Sequence, residues 1–560
     1  MSTSKASISS FHPLLVLAVV LALGISSCAA DRRPVADYAC FRVEPADEGS
    51  KDDARWAAYL EGQLVNRAVD DRRAVIGEGG RECLDVVVHV DKSLSCGYRV
   101  SRSRSGLTLA ARDSGKMLWL VYQFVSSCSP DVVETSDLPP AYVPMGGAEG
   151  DFAFEYRGIY TPSNSDPEFM PIMAAHNVDY DWALWGHNIM KLFKDGIPEG
   201  AQALVGGRRT GSQLCFSSPE LYAAVEAYVA DYGGAEGGET ARFAIMPADN
   251  KDVCLCPECL KAGNTAASAT PAVSKMLRRL AEEFPRCEFF TSSYHTTAEP
   301  PSRKMPANVG VLVSAIGVPM RALLDTRPQA KRFAELVKRW KKVVGKVYVW
   351  DYMRNYDDYF TPYPCLALVQ ERLRMFRSLG VSGVFYNGSS PYYASFDDVQ
   401  TAAIAAMLVD PDIDVAAYAD SCFARYYPVT APLLAPAYRS WERTVVDRAR
   451  PLPFYGTIQD AVHAWLDPEA YEAFCDSLDR RAKRAAPAER SRLNRLLTAS
   501  WLTRLELLRP GRLATKADTA AARRYVEGLA GYSAFPDMGH YRETGGPTDK
   551  YIGKWEKEIY

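Results

Sequence analysis

Three carboxylates, Asp249, Glu299 and Asp351, each stand just beyond a short apolar run. Acid–base cleavage of a glycosidic bond needs one carboxyl group to protonate the leaving oxygen. A second group must stabilise or attack the oxocarbenium-like centre. The spacing makes Asp249 the expected general acid, Asp351 the partner carboxylate and Glu299 the alternate acid. Aromatic and polar side chains crowd the same positions, in the segments 182–188, 247–250, 294–299, 350–356 and 386–388. Trp and Tyr faces stack on sugar rings, while Asn, His and Asp bind hydroxyls. Trp185, His187, Asn188, Asn250, Tyr294, His295, Trp350, Tyr352, Tyr386 and Asn387 are therefore the expected substrate-binding residues, and Arg157 is either a substrate clamp or a structural ion pair. No GxGxxG or Walker sequence follows any of these runs, so no cofactor is expected.

The sharpest local motif is Cys254-Leu255-Cys256-Pro257-Glu258-Cys259. Three thiols so close resemble part of a zinc or iron–sulfur site. The next cysteine, Cys287, is not at the spacing such sites use, so the motif reads as a tight loop that positions Asp249, with room for one disulfide and no metal.

These residues need a frame. From 150 to 395 the chain repeats strand, loop and helix, with expected strands at 154–160, 177–185, 211–216, 242–247, 288–294, 309–315, 346–351 and 382–386. Eight is the number that closes a (β/α)8 TIM barrel, whose active site lies at the C-terminal ends of the strands. Strands four and seven then face each other across the mouth and bring Asp249 opposite Asp351. A doubly wound sheet is the alternative. Ser218-Pro219 and Thr270-Pro271 open helices, and Gly345 and Gly380 follow helices 328–343 and 365–379. Residues 36–145 read as a small α/β domain with a hairpin around 105–106, and 396–560 as a mainly helical layer.

The 560 residues exceed one ordinary domain, and 48% hydrophobic content with 10 Trp, 31 Tyr and 21 Phe provides for large cores. Lys and Arg number 65 against 68 acidic residues, so the net charge of -3 gives no basic surface for nucleic acid. Lys5, the apolar run 14–25 and Ser26-Ser27-Cys28 form an export signal over 1–30. The run 23–28 resembles a bacterial lipobox, which implies lipidation of Cys28 and anchoring in the bacterial envelope. Plain secretion with cleavage after Ala29 or Ala30 is the alternative.

Several separated segments resemble one family: 243–250 followed by the 254–259 cysteines, Trp185-Gly186-His187-Asn188, Tyr294-His295-Thr296-Thr297 with Pro300-Pro301, and Trp350-Asp351-Tyr352. Together they are similar to the DUF4838 proteins of Bacteroidetes, which correspond to glycoside hydrolase family 163. The resemblance spans roughly 150–430, and the preceding module looks like the small α/β domain before hexosaminidase-type barrels. It implies an exported TIM-barrel glycosidase with endo-β-N-acetylglucosaminidase activity on N-glycans or related N-acetylglucosamine-containing glycans, the substrate being a glycan or a glycoprotein. Hexosaminidases of this architecture carry an Asp-Glu pair where this chain has Asp249-Asn250. Asn250 cannot donate the proton, so the acid is either Asp249 with help from elsewhere or Glu299. Two other readings are a non-catalytic glycan-binding lipoprotein on a degenerate barrel and a thiol–metal protein built on 254–259.

Overall fold

The computed structural model describes residues 33–70, 75–77, 83–103, 106–233, 241–511 and 513–559; Cys28 and the export signal lie outside them. Near the N-terminus, β1 (Cys40–Pro45), β2 (Cys83–Val90), β3 (Tyr98–Arg102), β4 (Gly106–Ala111) and β5 (Ala148–Gly150) form a sheet of order β1-β2-β4-β3-β5. In β2 alternate residues are buried, as a strand with one face on a core requires. Helices Lys51–Asn66 and Ser114–Val125 accompany the sheet, and Ser50 and Asp113 cap them by accepting the backbone N–H of Asp53 and Lys116. A disulfide joins the register partners Cys40 and Cys83.

Next come β6 (Tyr156–Tyr160), β7 (Gln202–Val205), β8 (Arg208–Leu214), β9 (Arg242–Ala244), β10 (Glu288–Ser293), β11 (Val309–Ser314), β12 (Lys346–Tyr352) and β13 (Gly383–Asn387). Six of them pair in parallel in the order β6-β13-β12-β11-β10-β9, with helices Thr270–Glu283, Pro328–Lys341 and Leu366–Ser378 as crossovers. Among the described residues this is a half-barrel, and a closed ring of eight strands is not formed. Two expected strands account for the difference. In 177–185, Asn177 accepts the N–H of Asp179 and caps the short helix Val178–Asp181, which leaves single bridges from His176 to Gly158 and from Leu184 to Phe243 across the gap. Segment 211–216 enters β8, which is polar and mostly exposed and pairs antiparallel with β7.

The two faces of the half-barrel differ. Tyr156, Ala244, Phe290, Leu312, Tyr348 and Phe385 fill the inside as one cluster, with the Tyr156 and Tyr348 rings stacked 5.4 Å apart. Gly310 is required there, because a Cβ on it would stand 2.2 Å from the Phe290 ring. Val311, Val313, Val347, Val349 and Val384 point outward into the main core, under the crossover helices. Helices from Asp397–Val409 to Thr548–Ile559 complete the chain. Among the described residues no helix is long and apolar enough to cross a membrane.

Candidate active site

Side chains alternate between faces along a strand, so the position of one inward residue fixes its neighbours. On β12, Tyr348 and Trp350 belong to the inner cluster, which turns Tyr352 inward and Asp351 outward. On β13, Phe385 points inward and Asn387 with it, while Tyr386 points out. By the same rule Tyr160 and Ser314 end β6 and β11 on the inside.

At this mouth the Trp185 and Trp350 rings stack, with centroids 5.0 Å apart and planes at 22°. Gly186, at φ +64°, supplies the left-handed turn between Trp185 and His187. His187 lies 6.1 Å from the rings of both Trp350 and Tyr294, and its Nδ1 donates to the Pro247 carbonyl at 2.5 Å. Asp249 stands at the lip with its side chain 62% exposed and Oδ1 3.4 Å from Nε2 of His295. The Tyr294 phenol contacts the same carboxylate; burial, then that charge, push its pKa above the ordinary value, so it stays a donor. His295 holds φ at +44°, a left-handed conformation that costs a non-glycine residue free energy and recurs at functional sites. Tyr352 meets Ser314 through their hydroxyls at 3.2 Å, and burial raises its pKa. Asn387 is half-buried at the end of β13.

Four expected site residues lie elsewhere. Asp351 is fully buried on the outer face, where Arg372 of the crossover helix grips both carboxylate oxygens, Nε to Oδ2 at 2.7 Å. It is a strand-to-helix tie, because the pleat turns it away from the mouth. Tyr386, also outward, is buried beside that pair. Arg157, outward on β6, donates to the carbonyls of Phe154, Glu155 and Ala174, and burial lowers its pKa to about 10. These bonds brace the backbone around β6. Glu299 has passed the turn 295–297 and pairs with Arg339 on the outer helix, beside a hollow of about 710 Å³ lined by Thr270, Arg278 and Arg303. Neither it nor Asp351 shares the mouth with Asp249.

Two more are loop braces at the rim. Asn188 donates to the Trp185 carbonyl at 2.8 Å, and Asn250 donates to the Ser212 carbonyl at 2.7 Å while accepting from Gln213 at 3.1 Å. Sequence reasoning passed over Tyr160, which contacts Asp179, and Ser314; strand parity could have found both. It also passed over Tyr455, whose hydroxyl donates to Glu543 at 3.0 Å and whose ring lies in the electrostatic neighbourhood of Tyr294. Nothing in the local sequence marks that pair. Finally, Cys215 joins Cys254, Cys256 and Cys259 in one buried cluster, with all four sulfurs within 4.8 Å of one another.

No curated protein matches the chain. Among solved structures it is similar to a GH138 enzyme targeting pectin rhamnogalacturonan II, at 11% identity over 93% of this chain and 98% of that one, with a TM-score of 0.44. It is also similar to a Streptomyces plicatus N-acetyl-β-hexosaminidase, at 13% identity over 71% and 91% with a TM-score of 0.39. An inactive mutant of a Vibrio harveyi GH20 exo β-N-acetylglucosaminidase aligns at 9% identity over 73% and 77%, with a TM-score of 0.41. The family model described as a domain of unknown function, DUF4838, matches residues 153–440, half of the chain, and the protein belongs to that family.

Proposed function

We propose that the protein is a glycoside hydrolase acting on N-acetylglucosamine-containing glycans, as an endo-β-N-acetylglucosaminidase of N-glycans. The observation that carries this reading is Asp249 held at the lip of a tryptophan-floored mouth by Tyr294 and His295. A sugar ring seated on Trp185 and Trp350 displaces water from the carboxyl group above it. Desolvation favours the uncharged form, which can give its proton to the departing glycosidic oxygen. With Asp351 committed to Arg372, the expected second carboxylate is not at the mouth. A substrate bearing a 2-acetamido group brings its own nucleophile. The amide oxygen bonds to the anomeric carbon as the glycosidic bond breaks, and water then opens the cyclic intermediate, its proton returning to Asp249. Tyr352 and Asn387, at the ends of β12 and β13, would orient such a group.

The test is incubation with released and protein-bound N-glycans, with products read by mass. Wild type should yield glycans cut at the N-acetylglucosamine core. Asp249→Asn should lower that turnover by about 100-fold or more, the scale of a lost general acid. Wild type that binds glycans and yields no product from any of them would establish a glycan-binding protein instead. We also propose that Cys28 carries a lipid anchor to the bacterial envelope: Cys28→Ala should move the protein from the membrane fraction to the soluble one, and unchanged partition would overturn the anchor.

A further inference from the structure

We infer that Cys215, Cys254, Cys256 and Cys259 bind one structural zinc ion as a tetrathiolate. Zinc–thiolate bonds are about 2.3 Å long, so the edge of a regular ZnS4 tetrahedron is about 3.8 Å. The sulfur of Cys215 stands 3.6 Å from those of both Cys256 and Cys259, and all four sulfurs fall within 4.8 Å of one another. These separations suit a shared ion. A disulfide, by contrast, needs about 2.0 Å, and all four thiols are free. The four residues are buried, so four polarisable sulfurs converge on one point away from water. The backbone N–H of Leu204 donates to the Cys254 sulfur at 3.2 Å, the outer hydrogen bonding that thiolate ligands attract.

The ligand set joins two separate pieces of chain. Cys254, Cys256 and Cys259 lie on one turn running into the helix Pro257–Ala262, and Cys215 follows β8. Four protein ligands leave no open position, so the ion cross-links and does not activate water. What it fixes is the approach to Asp249. Gln213, two residues before Cys215, accepts the Ala248 N–H at 3.0 Å and donates to Asn250 at 3.1 Å, on either side of the aspartate. The zinc thus holds the β7–β8 hairpin against the loop that presents Asp249. On binding, each thiol loses its proton to solvent and the sulfur lone pair becomes the metal bond.

The experiment is elemental analysis of the full chain purified without added chelator, combined with a count of reactive thiols. The expected result is about one zinc per chain, falling below about 0.2 in Cys215→Ser and in Cys254→Ser, with Cys287→Ser unchanged. In wild type the four thiols should resist a disulfide reagent until a mercurial displaces the metal, a readout that holds even where the serine variants fold poorly. Wild type without stoichiometric metal that takes up none on zinc titration would overturn the proposal. So would disulfides among the four residues in peptide mass maps, or iron in place of zinc. Metal content is read apart from glycan turnover: an inactive protein holding one zinc sustains the inference, and an active one holding none refutes it.

Discussion

Replacing Asp351 separates a catalytic carboxylate from a structural one. In Asp351→Ala, Arg372 loses two charge-assisted hydrogen bonds, one of them 2.7 Å long, and keeps only the carbonyls of Val318, Pro319 and Ala315 at 3.0, 3.3 and 3.4 Å. The Arg372 side chain is 1% exposed, so water cannot replace the lost partner. An uncompensated buried charge of this kind costs about 3–5 kcal/mol, against a whole-domain stability of about 5–15 kcal/mol. Denaturant unfolding of wild type and variant should therefore show a large fall in the midpoint. Turnover per folded molecule should stay within a few-fold, since the carboxylate does not face the mouth. The double variant Asp351→Leu with Arg372→Met removes both charges and should recover most of the loss, to within about 1–2 kcal/mol. A single variant with a wild-type midpoint and no turnover would refute this reasoning and return Asp351 to the active site.

Glu299→Gln should leave glycan turnover within about two-fold, because this side chain faces Arg339 and its pairing is solvent-exposed; loss of activity on the natural glycan would make it the acid in place of Asp249. Glu442 gives a pH signature: burial raises its pKa from 4.5 to about 7, while the Ala367 N–H at 3.1 Å opposes the shift. Between these values the folded chain holds a proton that the unfolded chain has lost, so this group's contribution to stability is full below pH 4.5 and declines by about 3 kcal/mol as pH rises through 7. Glu442→Gln keeps an oxygen acceptor without the charge, and its melting temperature relative to wild type should climb from pH 5 to pH 8; a constant difference would rule out an ionising Glu442.

The parallel strands are legible as short apolar runs, with helix boundary signals such as Thr270-Pro271, Gly345 and Gly380 between several of them. The segments that failed are the ones where polar residues interrupt the pattern: Asp179 and Asp181 wind 178–181 into a helical turn, and Arg208, Arg209 and Thr210 keep β8 at the surface. The fate of Asp351 was also written in the chain. In Val347-Tyr348-Val349-Trp350-Asp351-Tyr352 the aliphatic residues alternate with aromatic ones, and the aspartate occupies an aliphatic position, on the helix side. The same parity separates Tyr386 from Asn387. Other features needed the folded chain. Cys215 precedes its partners by a long excursion, whereas the next cysteine after Cys259 is Cys287, at a spacing that supplies no fourth ligand. Tyr455 and Glu543 reach the mouth because the loop after β12 is sewn to both segments: the Tyr356 N–H donates to the Phe454 carbonyl and its carbonyl accepts from the Glu543 N–H.

The mouth residues share a mode of support that bears on how the site can work. Several of them are held by a polar contact from a neighbouring strand or loop. His187 hangs on the Pro247 carbonyl, Gln213 grips the Asp249 loop on both sides, and Ser314 meets the Tyr352 hydroxyl. The carbonyl of Asn387 accepts the Tyr356 hydroxyl at 2.6 Å. Behind them, the buried pairs Asp351–Arg372 and Arg354–Asp397 lock β12 and its following loop to two helices. Buried ion pairs incur a large desolvation cost and are weak sources of net stability. What they provide is a single geometry, since either charge left unpaired is penalised in any other arrangement. In the proposed reaction, holding a sugar against Trp185 and Trp350 while presenting one proton at one oxygen would draw on that geometry. Asp351, which the sequence offered as a catalyst, is thus one of these ties, on the strand that carries Trp350 and Tyr352.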